Sequence, residues 1–197
     1  MQYDLSLNIF TRFHKLDVKK IIILALLSRL IFACIYDVFV SITGSDILLP
    51  DSAFYATIGR YMSLFLSGYD KYSIPVHALP KEPTERALFL DLLSKDNKEF
   101  FQSKNEGIIF YYIVSILYVI FGPSVIVIRI FNICISVLST YLIYKITDKN
   151  FGELAAKMFL VVGLLLPSQV IYSITLSRDI LRVFAVYLIL WVLYGRK

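Results

Sequence analysis

Two acidic residues stand where long apolar runs meet polar chain. Asp51 lies in Pro50-Asp51-Ser52-Ala53-Phe54-Tyr55, just after the apolar run Ile21–Thr43, and Asp179 follows Arg178 between two later apolar runs. The first run is long enough to cross a bilayer, since about 20 residues rising ~1.5 Å each span the ~30 Å hydrocarbon core. A carboxylate delivered to the membrane surface at such a point can meet a lipid-borne substrate. If Asp51 and Asp179 face the same side, they bracket a site there. Arg178 and Arg182 are four residues apart and share a helical face, with Asp179 three residues before Arg182. Arg29, Asp37 and Arg129 lie inside apolar runs. A charge facing lipid at the bilayer centre costs at least ~2.5 kcal/mol, so these three are expected to face a bundle interior or a substrate path. A structural Arg29–Asp37 or Arg129–Asp37 pair is an equal alternative. Asn132, one turn from Arg129, suits a hydrogen bond between helices.

The elements that must position these residues are helices in lipid. Apolar residues make up 58% of the chain and charged residues 18%, and the mean hydropathy is +0.71. A soluble domain of this length has too little interior to hide that much apolar surface. The net charge of +5 follows orientation signals, and no basic run with interleaved aromatics suggests nucleic acid. Cys34 and Cys134 sit in apolar segments and are expected to be small buried hydrophobes, not a disulfide pair. With His14 and His77 the only histidines, a zinc site is not expected. The first run starts too far in and is too long for a cleavable signal, so it is expected to remain as an anchor.

The expected class is an all-α polytopic transmembrane bundle of about four spanning helices, with an external first loop containing amphipathic, juxtamembrane helices. Residues 1–20, with Arg12, Lys15, Lys19 and Lys20, form a cytoplasmic N-terminus; 21–43 form the first span; 44–123 form the external loop; and 124–197 hold spans two to four. Within the loop, Pro50-Asp51 predicts a helix start continuing amphipathically through Leu66, and a second helix is expected over Thr84–Gln102, with Leu88, Leu92 and Leu93 on one face. Ile108–Phe121 is short for a crossing, at ~21 Å. Its Tyr111, Ser115 and Tyr118 make a polar-aromatic stripe opposite Ile109, Ile113, Ile116 and Ile120, a pattern that suits a helix lying at the interface. Gly122-Pro123 ends it. Spans are expected over Ser124–Tyr144, Ala155–Tyr172 and Ile180–Tyr194, with a turn around Lys145, Lys149 and Gly152. If Ile108–Phe121 does not cross, Asp51 and Asp179 are both external; if it crosses, they are split. The segment from Gly44 to Glu106 carries seven Lys/Arg against nine Asp/Glu, in keeping with an external loop.

The order of these pieces resembles the N-terminal part of GT-C class glycosyltransferases. Nearest in pattern are the aminoarabinose-transferase and protein O-mannosyltransferase-like families, which use polyprenyl-phosphate sugars. The resemblance rests on Ser28-Arg29-Leu30 followed by the Asp51 motif; on Phe110-Tyr111-Tyr112, Phe121-Gly122-Pro123-Ser124 and Arg129; and on Tyr144 through Phe151-Gly152, Leu166-Pro167-Ser168, Tyr172 and Arg178-Asp179. It covers the chain from about Ile21 onward. It implies a multi-pass protein of a bacterial cytoplasmic membrane, with Asp51 as the base that deprotonates the acceptor. Asp51 is equally placed to cap the helix that follows. Tyr55, one turn on, could orient the acceptor or simply pack. The resemblance also implies that Arg178 and Asp179 stand near the donor phosphate, with Arg182 on the same face. Arginine offers that phosphate a bidentate fork; a local ion pair at the interface is the plainer alternative. Arg29 and Arg129 join these as candidates for the donor path. The implied ligands are a polyprenyl-phosphate sugar and membrane lipids. A divalent metal near Asp51 and Asp179 and a protein partner completing the bundle remain open.

Two other functions fit the same helices. A non-catalytic membrane subunit would tolerate Asp51→Asn and have no cavity between the acidic residues. A small transporter or flippase component would need a polar path through the bundle, for which Pro167 supplies one helix break.

Overall fold

The computed structural model describes residues 17–43, 52–69, 74, 79–80, 86–87, 89–91 and 108–195. Asp51, the basic N-terminus with Arg12 and Lys15, and most of the helix expected over Thr84–Gln102 lie outside the described residues, as do the side chains of Ser52 and Ala53. Among the described residues the ordered elements are all helical: α1 (Val18–Thr43), α2 (Ser52–Leu66), α3 (Ile108–Phe121), α4 (Val125–Phe151), α5 (Glu153–Leu165), α6 (Pro167–Ile174) and α7 (Asp179–Tyr194). α1 and α4 are each long and apolar enough to cross a membrane. α5 and α6 pass the same test together, as one broken segment bent by 53° at Leu166. The protein is therefore an all-α chain with at least two candidate membrane spans.

Several hydroxyl and amide side chains inside these apolar helices are satisfied within their own helix. On α4, Ser139, Thr140, Thr147 and Asn150 donate back to the carbonyls of Ile135, Ser136, Ile143 and Ile146; on α3, Ser115 donates to Tyr111. Where no water competes, that local bond removes the penalty for a lone hydroxyl and leaves the helix intact.

The chain divides into two compact units. One comprises Met1–Phe39, Ile130–Ile174 and Asp179–Lys197. Its core joins Ala25 of α1, Val137 and Tyr144 of α4, and Ala156, Leu160 and Leu164 of α5, flanked by Val18, Ile21, Ile22, Leu26 and Tyr141. α4 and α5 meet at Gly152 alone, whose φ of 87° is open to glycine and strained for other residues. They pack so closely that a Cβ on Gly163 would stand 2.8 Å from Cγ2 of Thr140.

The other unit comprises Val40–Arg129 and Thr175–Arg178. It is built on α2 against α3. Gly59 of α2 lets Val114 and Tyr118 of α3 approach its backbone. Around that contact the Tyr55 ring meets Phe110 at 5.4 Å and Tyr111 at 5.8 Å, and Tyr61 meets Phe89 at 5.9 Å.

Several boundaries follow the sequence closely. α2 begins one residue after Asp51 and ends at Leu66, α3 keeps the expected Ile108–Phe121, and Gly122 ends it with φ of 81° and its N–H on the Tyr118 carbonyl. Two expectations are corrected, and one alternative for Arg29 is decided. The turn expected around Lys145 and Lys149 is helix, and α4 runs on to Phe151. Lys145 is compatible with that helix: its ammonium lies over the stacked rings of Tyr141 and Tyr144, at 5.6 and 6.0 Å. Cys34 and Cys134 are exposed, not buried; each lies off the packed face of its helix and forms no disulfide. Arg29 forms no pair with Asp37; it reaches a backbone carbonyl on α5.

Candidate functional site

The acidic motif heads α2, an amphipathic helix with one face on α3. Asp51 itself lies outside the described residues, but the helix it leads into begins at Ser52. Tyr55, one turn in, is buried with its ring between Phe110 and Tyr111. The Tyr61 phenol is pushed above its ordinary value by burial, which keeps it neutral and able to donate a hydrogen bond.

α3 turns inward the stripe Phe110, Tyr111, Val114, Ser115 and Tyr118, and leaves Ile109, Ile116 and Ile120 exposed. The polar-aromatic stripe thus forms the contact with α2, and the isoleucines face outward.

The second acidic position opens α7. Asp179 Oδ1 accepts from Arg182 Nη1 at 3.0 Å, and both side chains stay largely exposed, at 44% and 60%. A carboxylate in the first turn also suits the positive end of the helix dipole. Arg178 is half-buried just ahead of it. Asp179 and Arg182 thus form a local ion pair in the first turn of an apolar helix.

Of the three charges expected to face an interior, Arg29 and Arg129 are buried and Asp37 is partly buried. Arg29 is 1% exposed, and its Nη2 donates to the Leu164 carbonyl at 2.8 Å, within the first unit. Arg129 is 5% exposed on the first turns of α4. Asn132 and Ser136 are fully buried further along α4, and Ser136 Oγ lies 3.5 Å from Oε1 of Gln169 on α6. Among the described residues no three His, Cys, Asp or Glu side chains gather as a metal-binding group.

Sequence reasoning missed three residues that shape these surroundings. Phe89 is fully buried against Tyr61 in the segment where Leu88 was expected to mark the packed face. Its signal was the aromatic ring beside Leu88 in a stretch already read as helix. Gly59 is the close-approach point of α2, and a glycine inside an amphipathic helix was the available hint. The Leu164 carbonyl as partner of Arg29 had only an indirect signal, the proline three residues later.

The chain matches no protein-family model, no curated protein and no solved structure.

Proposed function

We propose that the chain is a multi-pass membrane glycosyltransferase of the GT-C class, or its N-terminal half, acting on a polyprenyl-phosphate sugar. The observation that carries the reading is the placement of the acidic motif. Asp51 directly precedes an amphipathic helix, α2, that packs on a second short helix, α3, and this pair lies in sequence between two helices able to span the membrane. Such a pair suits the membrane surface, where a lipid-linked sugar presents its phosphate. The order of motifs around it supports the same class.

In this reading α1, α4, the bent α5–α6 segment and α7 make four crossings, and α3 lies at the surface. The 16 residues of α7 reach roughly 24 Å and are apolar almost all round, whereas α3 keeps a polar-aromatic face on α2. Asp51 and Asp179 then share the external side of a bacterial cytoplasmic membrane.

The reaction follows from the groups assigned. An acceptor hydroxyl oxygen attacks the anomeric carbon of the donor. The bond from that carbon to the phosphate oxygen breaks, and polyprenyl phosphate leaves with the electron pair. Asp51 takes the hydroxyl proton, worth a factor of about 10²–10⁴ for a positioned base. Arg178 and Arg182 offset the charge on the departing phosphate, and Asp179 holds Arg182 in place. A partner chain completing the bundle belongs to the same proposal.

The test uses membranes containing the full chain, a panel of polyprenyl-phosphate hexoses and pentoses, and release of polyprenyl phosphate as the readout. Transfer from one donor that falls about a hundredfold or more in Asp51→Asn supports the reading. Transfer that survives Asp51→Asn undiminished removes Asp51 as the base, and absence of release from every donor removes the reaction.

A second reading, a non-catalytic membrane subunit, is favoured by one observation. The Asp179–Arg182 contact is an exposed ion pair between residues three apart on one helix, which serves a helix start without any substrate.

A further inference from the structure

Pro167 breaks the third apolar segment, and the break has a chemical consequence. A proline has no N–H to give, and it pushes the residue before it out of the helical region. Leu166 accordingly sits at φ −55° and ψ 123°, and α6 leaves α5 at 53°. The last carbonyls of α5 lose their helical donors at such a break. The Val162 carbonyl is taken by the Leu166 N–H at 2.9 Å. In an unbroken helix the Leu164 carbonyl would be taken by the Ser168 N–H. Here it is taken from another helix, by Nη2 of Arg29 at 2.8 Å.

Arg29 is an improbable residue to bury in an apolar helix unless it meets a need there. It is 1% exposed, it lies near the middle of α1, and this carbonyl is its hydrogen-bond acceptor, with Nε buried and unbonded. The packed stripe of α1 is Ala25, Arg29, Ala33 and Tyr36, so small residues flank the arginine and let α1 close on its neighbours. Leu164, whose carbonyl it takes, also belongs to the core shared by α1, α4 and α5. A backbone carbonyl without a donor in hydrocarbon is costly, and so is a guanidinium without an acceptor; each group answers the other.

We propose that Arg29 is a positioning residue, a latch that holds the α5–α6 bend by capping the carbonyl freed at Pro167. The latch sets the direction in which α6 leaves α5, and through the packing of α6 on α7 it sets where Asp179 begins its helix. This role does not depend on the transfer reaction.

The test is a double-mutant cycle on the full chain in detergent micelles. Pro167→Ala restores a donor and frees Leu166 to turn helical, so the Ser168 N–H can reach Leu164 and the arginine becomes dispensable. Arg29→Met is expected to lower the thermal unfolding midpoint by roughly 5 °C in the parent, and by less than half as much in the Pro167→Ala background. An equal drop in both backgrounds overturns the proposal. Should Arg29→Met fail to fold, recovery of folded protein in the double variant supports the latch, and no recovery overturns it. Spin labels at Phe159→Cys on α5 and Val186→Cys on α7, both exposed positions, read the placement of α7 that the bend sets, in a chain lacking Cys34 and Cys134. Arg29→Met is expected to broaden their distance distribution; an unchanged distribution overturns the proposal.

Discussion

Asp179 and Arg182 form the ion pair nearest the proposed donor phosphate, and their exposure decides what the pair is worth. With both side chains largely in the open, the contact contributes roughly 0–1 kcal/mol to stability, because solvent screens it and two flexible chains must be ordered to make it. Asp179→Asn should therefore leave the unfolding midpoint within about 3 °C of the parent. If the pair serves the donor, the same variant raises the KM for a polyprenyl-phosphate sugar several-fold; heat unfolding and a donor titration on one preparation separate the two effects. A large fall in midpoint would show that the pair carries structure instead. The contrast with Arg29 is instructive. Both arginines meet an oxygen at about the same distance, yet Arg29 is sealed from water and Arg182 is not. Burial, more than geometry, makes the Arg29 contact hard to lose.

At the scale of elements, the α2–α3 pair depends on a missing side chain. A Cβ at position 59 would run into Val114, so Gly59→Ala must push the helices apart or force Val114 off its rotamer. Overpacking of this kind costs about 1–3 kcal/mol. Gly59→Ala is expected to lower the unfolding midpoint, and adding Val114→Ala is expected to recover part of the loss by clearing the clash. Failure of the second substitution to help would mean that the cost lies in the helix backbone and not in the contact. The long helix α4 shows the opposite device. The helix runs past the apolar stretch that the hydropathy pattern marked, into the polar stretch after Tyr144, where the Lys145 ammonium lies over the rings of Tyr141 and Tyr144. The helix ends where Gly152 adopts a positive φ.

For the molecule as a whole, the proposal stands or falls on sidedness. Ser177 is buried, so a probe there would read packing and not topology; Ser67 at the end of α2 and Arg182 at the start of α7 are exposed. In a chain lacking Cys34 and Cys134, Ser67→Cys and Arg182→Cys are expected to label with a charged maleimide from the outside of intact cells. Labelling from opposite sides would place α3 across the membrane, separate the two acidic positions and favour the subunit reading. Much of this organisation was legible in the chain. The bounds of α2 and α3, the stop at Gly122, the apolar length of α1 and the break at Pro167 are local properties, written in hydropathy, in glycine's freedom at positive φ and in proline's missing donor. The sequence by itself therefore determined an all-helical membrane chain and the order of its elements. Only the tertiary structure decided which face of each helix is covered: that Tyr111, Ser115 and Tyr118 turn toward α2, that Cys34 and Cys134 turn away from the packed faces, and that Arg29 takes the carbonyl of Leu164, 135 residues along the chain. In an apolar helix nearly every face satisfies hydropathy, so the covered face is chosen by shape and by the need to pair buried polar groups across helices distant in sequence.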